Sequence, residues 1–160
     1  MSTLGIIHTI IGVIAVIAGI IALVRDHRIT SKNATGQVYL WTTVLTCLTG
    51  FGIFHQGGFN VAHVLGIITL VVLGIAWMAE NKGWFGGKAK MVETLGYTLT
   101  LFFHFVPGIT ETSTRLPVGA PFITSRESPV LQGIIGTVFL IFIVIMVVQA
   151  LALRKSGRSA

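Results

Sequence analysis

Long apolar stretches separated by short polar segments dominate the sequence. Five of these stretches approach the roughly 20 residues that a helix needs to cross the hydrocarbon layer of a membrane. Strands are not expected, because hydrophobic and polar residues do not alternate and only a closed barrel pairs strands in lipid. The pattern predicts an all-α integral membrane protein in which residues 1–160 form a single transmembrane domain, with spans at about residues 4–24, 38–54, 59–78, 91–106 and 130–153.

The ends of these stretches carry signals for helix starts and stops. Ser128-Pro129 precedes the fifth stretch, where serine can cap a helix and proline suits its first turn. Pro107-Gly108 follows the fourth stretch, which predicts that this helix ends there. The first stretch lacks a basic start and exceeds the apolar run of a signal peptide, so we expect it to be retained.

Composition supports the membrane interpretation. Hydrophobic residues make up 53% of the chain and charged residues 10%, whereas soluble domains carry about 25% charged residues. This composition excludes a water-soluble protein. The net charge of +6 would indicate nucleic acid as a partner in a soluble protein. In a membrane protein, the placement of the basic residues indicates the orientation in the membrane instead. We therefore expect the lipid bilayer as a partner and no nucleic acid.

The basic residues lie mainly on one side of the predicted membrane. With five spans, nine of the eleven Lys and Arg residues fall on the side of the first and third connections and the C-terminus. Because basic residues favour the cytoplasmic side, the bundle is predicted to have its N-terminus outside and its C-terminus in the cytoplasm of a bacterium, in the inner membrane. An aromatic belt is predicted at the cytoplasmic ends, formed by Tyr39, Trp41, Trp77 and Trp84.

No charged residue lies near the centre of a predicted span. Glu80 and Glu93 fall at the cytoplasmic ends, where their carboxylates are expected to reach water. The fifth span has only Gln132, Thr137 and Gln149 as internal polar residues, so we expect it to face lipid or a partner.

Four of the five histidines lie in the apolar stretches near the predicted outer face: His8, His55, His63 and His104. Counted from the ends of their spans, three of them lie roughly 6 Å below that face, and His55 lies close to it. A polar ionisable residue in lipid is costly and marks a functional site by default. Imidazole is also the commonest metal ligand. The four histidines therefore predict a shared binding site near the outer leaflet.

Simpler interpretations of single histidines remain open. His8 and His104 can instead bond a neighbouring helix through Thr9, Thr98 or Thr100, and His55 can lie in the membrane interface. His27 is expected to be a solvated residue of the cytoplasmic connection.

A b-type haem is the leading cofactor hypothesis. Cys47 is the only cysteine, which excludes a covalent c-type haem. Helical bundles can hold a haem between two imidazoles, and His63 with His104 or His8 would supply them. The remaining histidines, with Arg115 or Asn60, would meet the propionates or a redox partner. The predicted function is electron transfer, with a quinone or a redox partner protein exchanging electrons. Gly5, Gly12 and Gly19 recur every seven residues, which predicts close helix packing or, less simply, a groove for a flat cofactor.

Two alternatives stay open. The same histidines would suit a copper or zinc ion, with Glu111 as a ligand, as an orienting residue or as a solvated acid. The chain can also be a cofactor-free accessory subunit of a larger membrane complex.

The sequence resembles a family of uncharacterised bacterial membrane proteins. The resemblance rests on Asp26-His27-Arg28, on Gly36-Gln37-Val38-Tyr39, on Phe59 and His63 at the next helix, and on Arg115-Leu116-Pro117. Helix-borne histidines of that family are similar to those of transmembrane b-type cytochromes, which implies haem binding. This chain differs from those cytochromes because it has no span histidine on the cytoplasmic side, so a second haem is not expected.

Overall fold

The computed structural model describes residues 2–53 and 58–156 and is helical throughout its regular structure. No strand occurs in these two ranges, which confirms the predicted all-α class. A short 3₁₀ turn at Gly86–Lys88 precedes the fourth of five long helices. The helices are α1 (Thr3–Asp26), α2 (Ala34–Phe51), α3 (Val61–Lys82), α4 (Ala89–Arg115) and α5 (Pro129–Ser156).

Polar residues at the edges of the apolar stretches start three of the helices. The Ser2 hydroxyl accepts a hydrogen bond from the Gly5 amide at 3.1 Å. The Asn33 side chain accepts one from the Gly36 amide at 2.8 Å, and the Asn60 side chain accepts one at the start of α3. Each of these bonds satisfies an amide that has no partner within its helix. Pro129 opens α5, as the sequence predicts.

Successive helices run in opposite directions, so the bundle has two distinct ends. The start of α1, the end of α2 and the start of α3 lie at one end, which we call the histidine end. The connections α1–α2 and α3–α4 and the end of α5 lie at the other, which we call the basic end.

Three helices, α1, α3 and α5, are long and apolar enough to cross a membrane. They expose many large aliphatic side chains, for example Val144 at 62% and Leu140 at 64%. Such faces suit a lipid environment, and the fold is compatible with the predicted membrane protein. The helices α2 and α4 are more polar and lie between the others, so the full five-span topology stays a prediction.

Helix α4 is the most polar part of the interior. Its buried residues include Glu93, Thr94, Tyr97, Thr98, Thr100 and His104. It packs against α3 on one side and α5 on the other, and it also contacts α1. Polar side chains are thus collected inside a bundle whose outer surface is apolar, the reverse of a soluble protein.

The predicted end of the fourth helix at Pro107 is wrong. Helix α4 continues through Pro107 to Arg115. Proline removes one backbone hydrogen bond but does not by itself end a helix. The extension carries an ion pair between Glu111 and Arg115 at 2.5 Å and a hydroxyl bond from Thr110 to the Val106 carbonyl at 2.8 Å. With 27 residues, α4 is roughly 40 Å long and exceeds the roughly 30 Å of a hydrocarbon layer.

Two glycines of the interior allow close packing. A Cβ at Gly19 would lie 2.7 Å from the Leu101 side chain, and a Cβ at Gly36 would lie 1.7 Å from the Thr30 carbonyl oxygen. The groove at Gly19 is therefore filled by protein side chains, in agreement with the helix-packing interpretation of the glycine repeat.

Gln149 fixes the end of α5 to the rest of the bundle. Its side-chain oxygen accepts a hydrogen bond from Thr98 on α4 at 2.9 Å. Its side-chain nitrogen donates to the His27 carbonyl at 2.9 Å. Gln149 is buried, so α5 faces the bundle here, while most of its other residues face outward as predicted.

Candidate functional site

His104 lies on the inner face of α4 and is only 8% exposed. Its Nε2 atom is 3.0 Å from the hydroxyl oxygen of Thr43, which is fully buried on α2. The edge of the ring meets Tyr39 with 6.2 Å between ring centroids. The hydroxyl therefore fixes the orientation of an imidazole inside the bundle.

His8 approaches the same helix α2 from α1. Its Nδ1 atom is 3.1 Å from the hydroxyl of Thr49. That hydroxyl donates to the Leu45 carbonyl at 2.7 Å, so the His8 ring nitrogen carries the proton and donates to Thr49. A Cβ at position 50 would lie 3.2 Å from the His8 ring, so Gly50 makes room for it.

The hydrogen-bond partners of His8 and His104 differ from those considered in the sequence. Thr9, Thr98 and Thr100 were possible partners, but Thr9 bonds the carbonyl of Gly5 on its own helix. Both histidines instead bond threonines on α2. Two helices separated in sequence thus direct their imidazoles toward a third helix.

His63 has a different role in the described structure. Its Nδ1 atom accepts a hydrogen bond from the Asn60 amide at 3.3 Å, which completes a capping box at the start of α3. Its ring packs between Phe51 and Phe59, with centroid distances of 6.4 and 5.3 Å. His63 therefore stabilises the start of α3 at the histidine end.

The predicted four-histidine site is only partly within the described residues. His55 lies outside them. Within residues 2–53 and 58–156, no group of three or more His, Cys, Asp and Glu side chains is placed to hold a metal ion. Glu111, a possible ligand, instead pairs with Arg115 and Arg126 at 2.5 Å each. His8 and His104 are the two described histidines that bond threonines of α2, and we call them the histidine pair.

Two surface grooves of the described structure lie away from these histidines. One groove of about 360 Å³ lies between α1 and the start of α2, and another of about 290 Å³ lies between α2 and α3. Aliphatic and tryptophan side chains make up most of their linings, and neither lining includes a histidine. His104 is buried, whereas His8 is partly exposed.

A run of buried hydroxyls extends from His104 toward the basic end. Tyr39 lies one helical turn before Thr43 on α2. The Tyr39 hydroxyl is 2.7 Å from the hydroxyl of Thr100, which donates to the Tyr97 carbonyl at 2.8 Å. Tyr39, Thr43, Tyr97 and Thr100 are fully buried.

Tyr97 connects this run to a carboxylate. Its hydroxyl donates to Glu80 on α3 at 2.9 Å. The Glu80 carboxylate also accepts hydrogen bonds from the Ser31 amide, at 3.0 Å to each oxygen, and from the Thr30 hydroxyl. We use the name polar column for three groups of hydrogen-bonded residues along the bundle: His8 with Thr49, His104 with Thr43, and Tyr39 with Thr100, Tyr97 and Glu80.

Two further polar groups lie beside the basic-end half of the polar column. Glu93 is 3% exposed and pairs with Lys90 at 2.8 Å and with Arg28 at 3.9 Å. Its charge also acts on Tyr97. Thr94, one turn before Tyr97, has a buried hydroxyl without a hydrogen-bond partner in the described part of the chain. Unpaired buried hydroxyls are costly and call for an explanation.

The sequence missed most of the polar column. Tyr39 was predicted in the aromatic belt but is fully buried, whereas Trp41, Trp77 and Trp84 are 64%, 38% and 54% exposed. Glu93 was expected to reach water but is enclosed. The sequence contains one signal that could have indicated these buried polar residues. Both tyrosines of the chain, Tyr39 and Tyr97, lie in stretches with several threonines. His27 is exposed, as expected for a residue of a connection.

The chain matches no protein-family model, no curated protein and no solved structure. The resemblance to bacterial membrane proteins and to b-type cytochromes therefore stays a prediction.

Proposed function

We propose that this chain is a membrane protein that transfers protons between the two faces of the bilayer through the polar column. The observation that carries the proposal is the set of buried polar contacts that runs from His104 and Thr43, midway along α4 and α2, to Glu80 near the basic end. Ionisable residues are rare inside membranes, and chains of Asp, Glu and His there serve as proton relays.

The chemistry of the residues supports proton transfer. Imidazole and carboxylate groups bind and release a proton, so His104 and Glu80 can load and unload the column. Threonine and tyrosine hydroxyls donate and accept at the same time, so a proton gained on one side can be matched by one lost on the other. The surrounding faces of α1, α3 and α5 are apolar, which favours a route confined to this interior path.

Tyr97 is the junction between two halves of the route. Its carbonyl accepts hydrogen bonds from the histidine-end half, and its hydroxyl donates to Glu80. Because the aromatic ring separates these two atoms, a proton crosses the junction only with a water molecule or a side-chain rotation. The unpaired Thr94 hydroxyl, one helical turn away, is a polar group suited to hold such a water.

The same proposal includes the membrane topology. All five helices would cross the bilayer, with α2 and α4 shielded by α1, α3 and α5. The nine basic residues on one side place the basic end in the cytoplasm and the histidine end outside, in a bacterial inner membrane. The polar column would then connect the outside to the cytoplasm.

Proton flux into liposomes tests this function. Purified protein is reconstituted with an internal pH-sensitive dye, and a potassium gradient with valinomycin imposes a membrane potential. We expect faster pH change than in empty liposomes, and a decrease of about tenfold in Tyr39→Phe, which loses one hydroxyl and keeps the ring.

Thr69→Val is the matched control. The Thr69 hydroxyl is buried but bonds the Leu65 carbonyl of its own helix at 2.7 Å. We expect this variant to conduct protons as the wild type does. Wild-type flux equal to that of empty liposomes, or unchanged flux in Tyr39→Phe, would contradict the proposal.

A second candidate is cofactor binding at the pair His8 and His104, for electron transfer through one b-type haem. One ring nitrogen of each histidine bonds a threonine hydroxyl, and ligating histidines are commonly oriented in this way through their second nitrogen. A metal would then bind Nε2 of His8 and Nδ1 of His104.

An absorption spectrum distinguishes the cofactors. Haem gives a sharp Soret band with α and β bands after reduction by dithionite, while a colourless preparation would end the haem hypothesis. Elemental analysis then separates a bound copper or zinc ion from no metal. Electron exchange with a quinone or a redox partner protein is a part of this proposal only if haem or copper is found. The accessory-subunit alternative predicts co-purification with larger membrane proteins.

A further inference from the structure

The turn between α3 and α4 exposes two aromatic rings at the basic end. Trp84 and Phe85 are 54% and 51% exposed. Phe85 has a φ of 73°, in the left-handed region that non-glycine residues rarely adopt, and it lies between two glycines, Gly83 and Gly86, with φ of 66° and 52°. A hydrogen bond from the Gly86 amide to the Gly83 carbonyl, at 3.2 Å, closes the turn. A strained conformation thus holds two apolar rings outside the bundle.

Lysines surround these rings. Lys82 ends α3, Lys88 ends the 3₁₀ turn and Lys90 begins α4, and all three are exposed. The nearest acidic residues in the described structure do not face outward with them. Glu93 is buried beneath Lys90, and Glu80 accepts hydrogen bonds from the α1–α2 connection. The surface of the turn is therefore positive and aromatic.

We propose that this turn, residues 82–90, binds the headgroups of anionic phospholipids. Lysine clusters next to a membrane span attract anionic lipids, and tryptophan rings favour the headgroup layer. Lipid is favoured over a soluble acidic partner because the rings follow directly after an apolar helix that suits a span, α3. At that position the rings lie at the level of the headgroups and the lysines lie where the phosphates are. The inference does not depend on proton transfer.

Native mass spectrometry of the full chain tests lipid selectivity. The protein is taken from nanodiscs of equal parts phosphatidylcholine and phosphatidylglycerol, and the adducts that remain bound are counted. We expect phosphatidylglycerol adducts to exceed phosphatidylcholine adducts. The double variant Lys82→Gln/Lys88→Gln should reduce this preference about tenfold, because each lysine near the surface contributes attraction for anionic lipid.

A charge-matched control removes two arginines from the opposite end. Arg115→Gln/Arg126→Gln changes the net charge equally but affects only the ion pairs with Glu111. We expect this variant to keep the wild-type preference. An equal loss in both double variants would mean that total charge, and not the turn, selects the lipid, and would overturn the proposal.

A soluble acidic partner would give a different result. In that case poly-glutamate would bind the protein in pure phosphatidylcholine nanodiscs, and no preference for phosphatidylglycerol would be seen. That outcome would also overturn the proposal. A third variant, Trp84→Phe, keeps an aromatic ring and both lysines, so we expect it to retain the phosphatidylglycerol preference.

Discussion

The Thr43 hydroxyl on α2 lies 3.0 Å from Nε2 of His104 on α4, and both residues are buried. This contact links two helices that are about sixty residues apart in the chain, inside an apolar bundle. It belongs both to the packing of the helices and to the proposed route of the proton. A substitution there is expected to change stability and function together.

Thr43→Val should lower the free energy of unfolding by about 1–3 kcal/mol, because it leaves a buried imidazole nitrogen without its hydroxyl partner. Denaturation with sodium dodecyl sulfate in mixed micelles measures this loss. Thr46→Val is the control on the same helix, since the Thr46 hydroxyl bonds the Thr42 carbonyl of α2 itself. Equal stability of the two variants would argue against the interhelical bond.

Gly36→Ala should destabilise the bundle by about 1–3 kcal/mol or more, because overpacking forces backbone to move. The added Cβ would lie 1.7 Å from the Thr30 carbonyl oxygen, and the α1–α2 connection would have to shift. Gly136→Ala is the control, since a Cβ at Gly136 meets no atom within 4 Å in the described structure. Thermal unfolding in detergent compares the midpoint temperatures of the two variants. A lower midpoint temperature for Gly136→Ala than for Gly36→Ala would contradict the predicted overpacking at Gly36.

Gln149→Leu should loosen the end of α5. The variant loses the bonds to Thr98 and to the His27 carbonyl and leaves both partners buried or partly buried without a bond. Hydrogen exchange of the α5 amides near residue 149 is expected to become about tenfold faster. Gln132→Leu, at the exposed start of the same helix, should leave that exchange unchanged. Hydrogen exchange in Gln149→Leu as slow as in the wild type would contradict a role of Gln149 in fixing the end of α5.

Glu80→Gln should release the α1–α2 connection. The Ser31 amide lies 3.0 Å from both Glu80 oxygens, and bonds to a charged acceptor are roughly twice as strong as neutral ones. We expect about tenfold faster exchange of the Ser31 amide hydrogen. Glu127→Gln, in the α4–α5 connection, is the control with the same change of charge. Proton flux should fall in Glu80→Gln and not in the control.

If the preparation contains haem, the histidine variants separate its ligands. Because His8 and His104 form the described pair, His104→Ala should abolish haem retention, and the sequence predicts the same for His63→Ala. His27→Ala should retain haem, since the His27 side chain is exposed at the basic end. The Soret absorbance per protein measures retention, and equal retention in all three variants would contradict a histidine-ligated haem.

Hydropathy predicts the helices because each needs only a long apolar run and suitable end residues. Asn33, Asn60 and Pro129 start helices at the edges of such runs. The predicted helix end at Pro107 was wrong. The preference of proline for helix ends describes only the local backbone, whereas the ion pair of Glu111 with Arg115 stabilises the turns that follow.

The candidate site was harder to predict, because helix rotation decides which side chains meet. The predicted end at Pro107 placed His104 at the depth of His8, but α4 continues to Arg115 and His104 lies deeper, beside Thr43 at the middle of α2. Only the packing of the helices brings Thr49 and Thr43 to these histidines. Tyr39 occupies a position typical of an interfacial aromatic, and rotation of α2 turns it inward. The partnership of Tyr97 with Glu80 joins α4 to α3 and has no local signal at all.

The polarity of α2 and α4 has a consequence for biogenesis. Neither helix is among the three that are apolar enough to cross a membrane by composition, yet both lie against such helices. A translocon that inserts segments singly would insert α2 and α4 inefficiently, because their hydrophobicity is low. If all five helices cross the bilayer, as we propose, α2 and α4 are expected to insert together with α1 and α3 as helical hairpins.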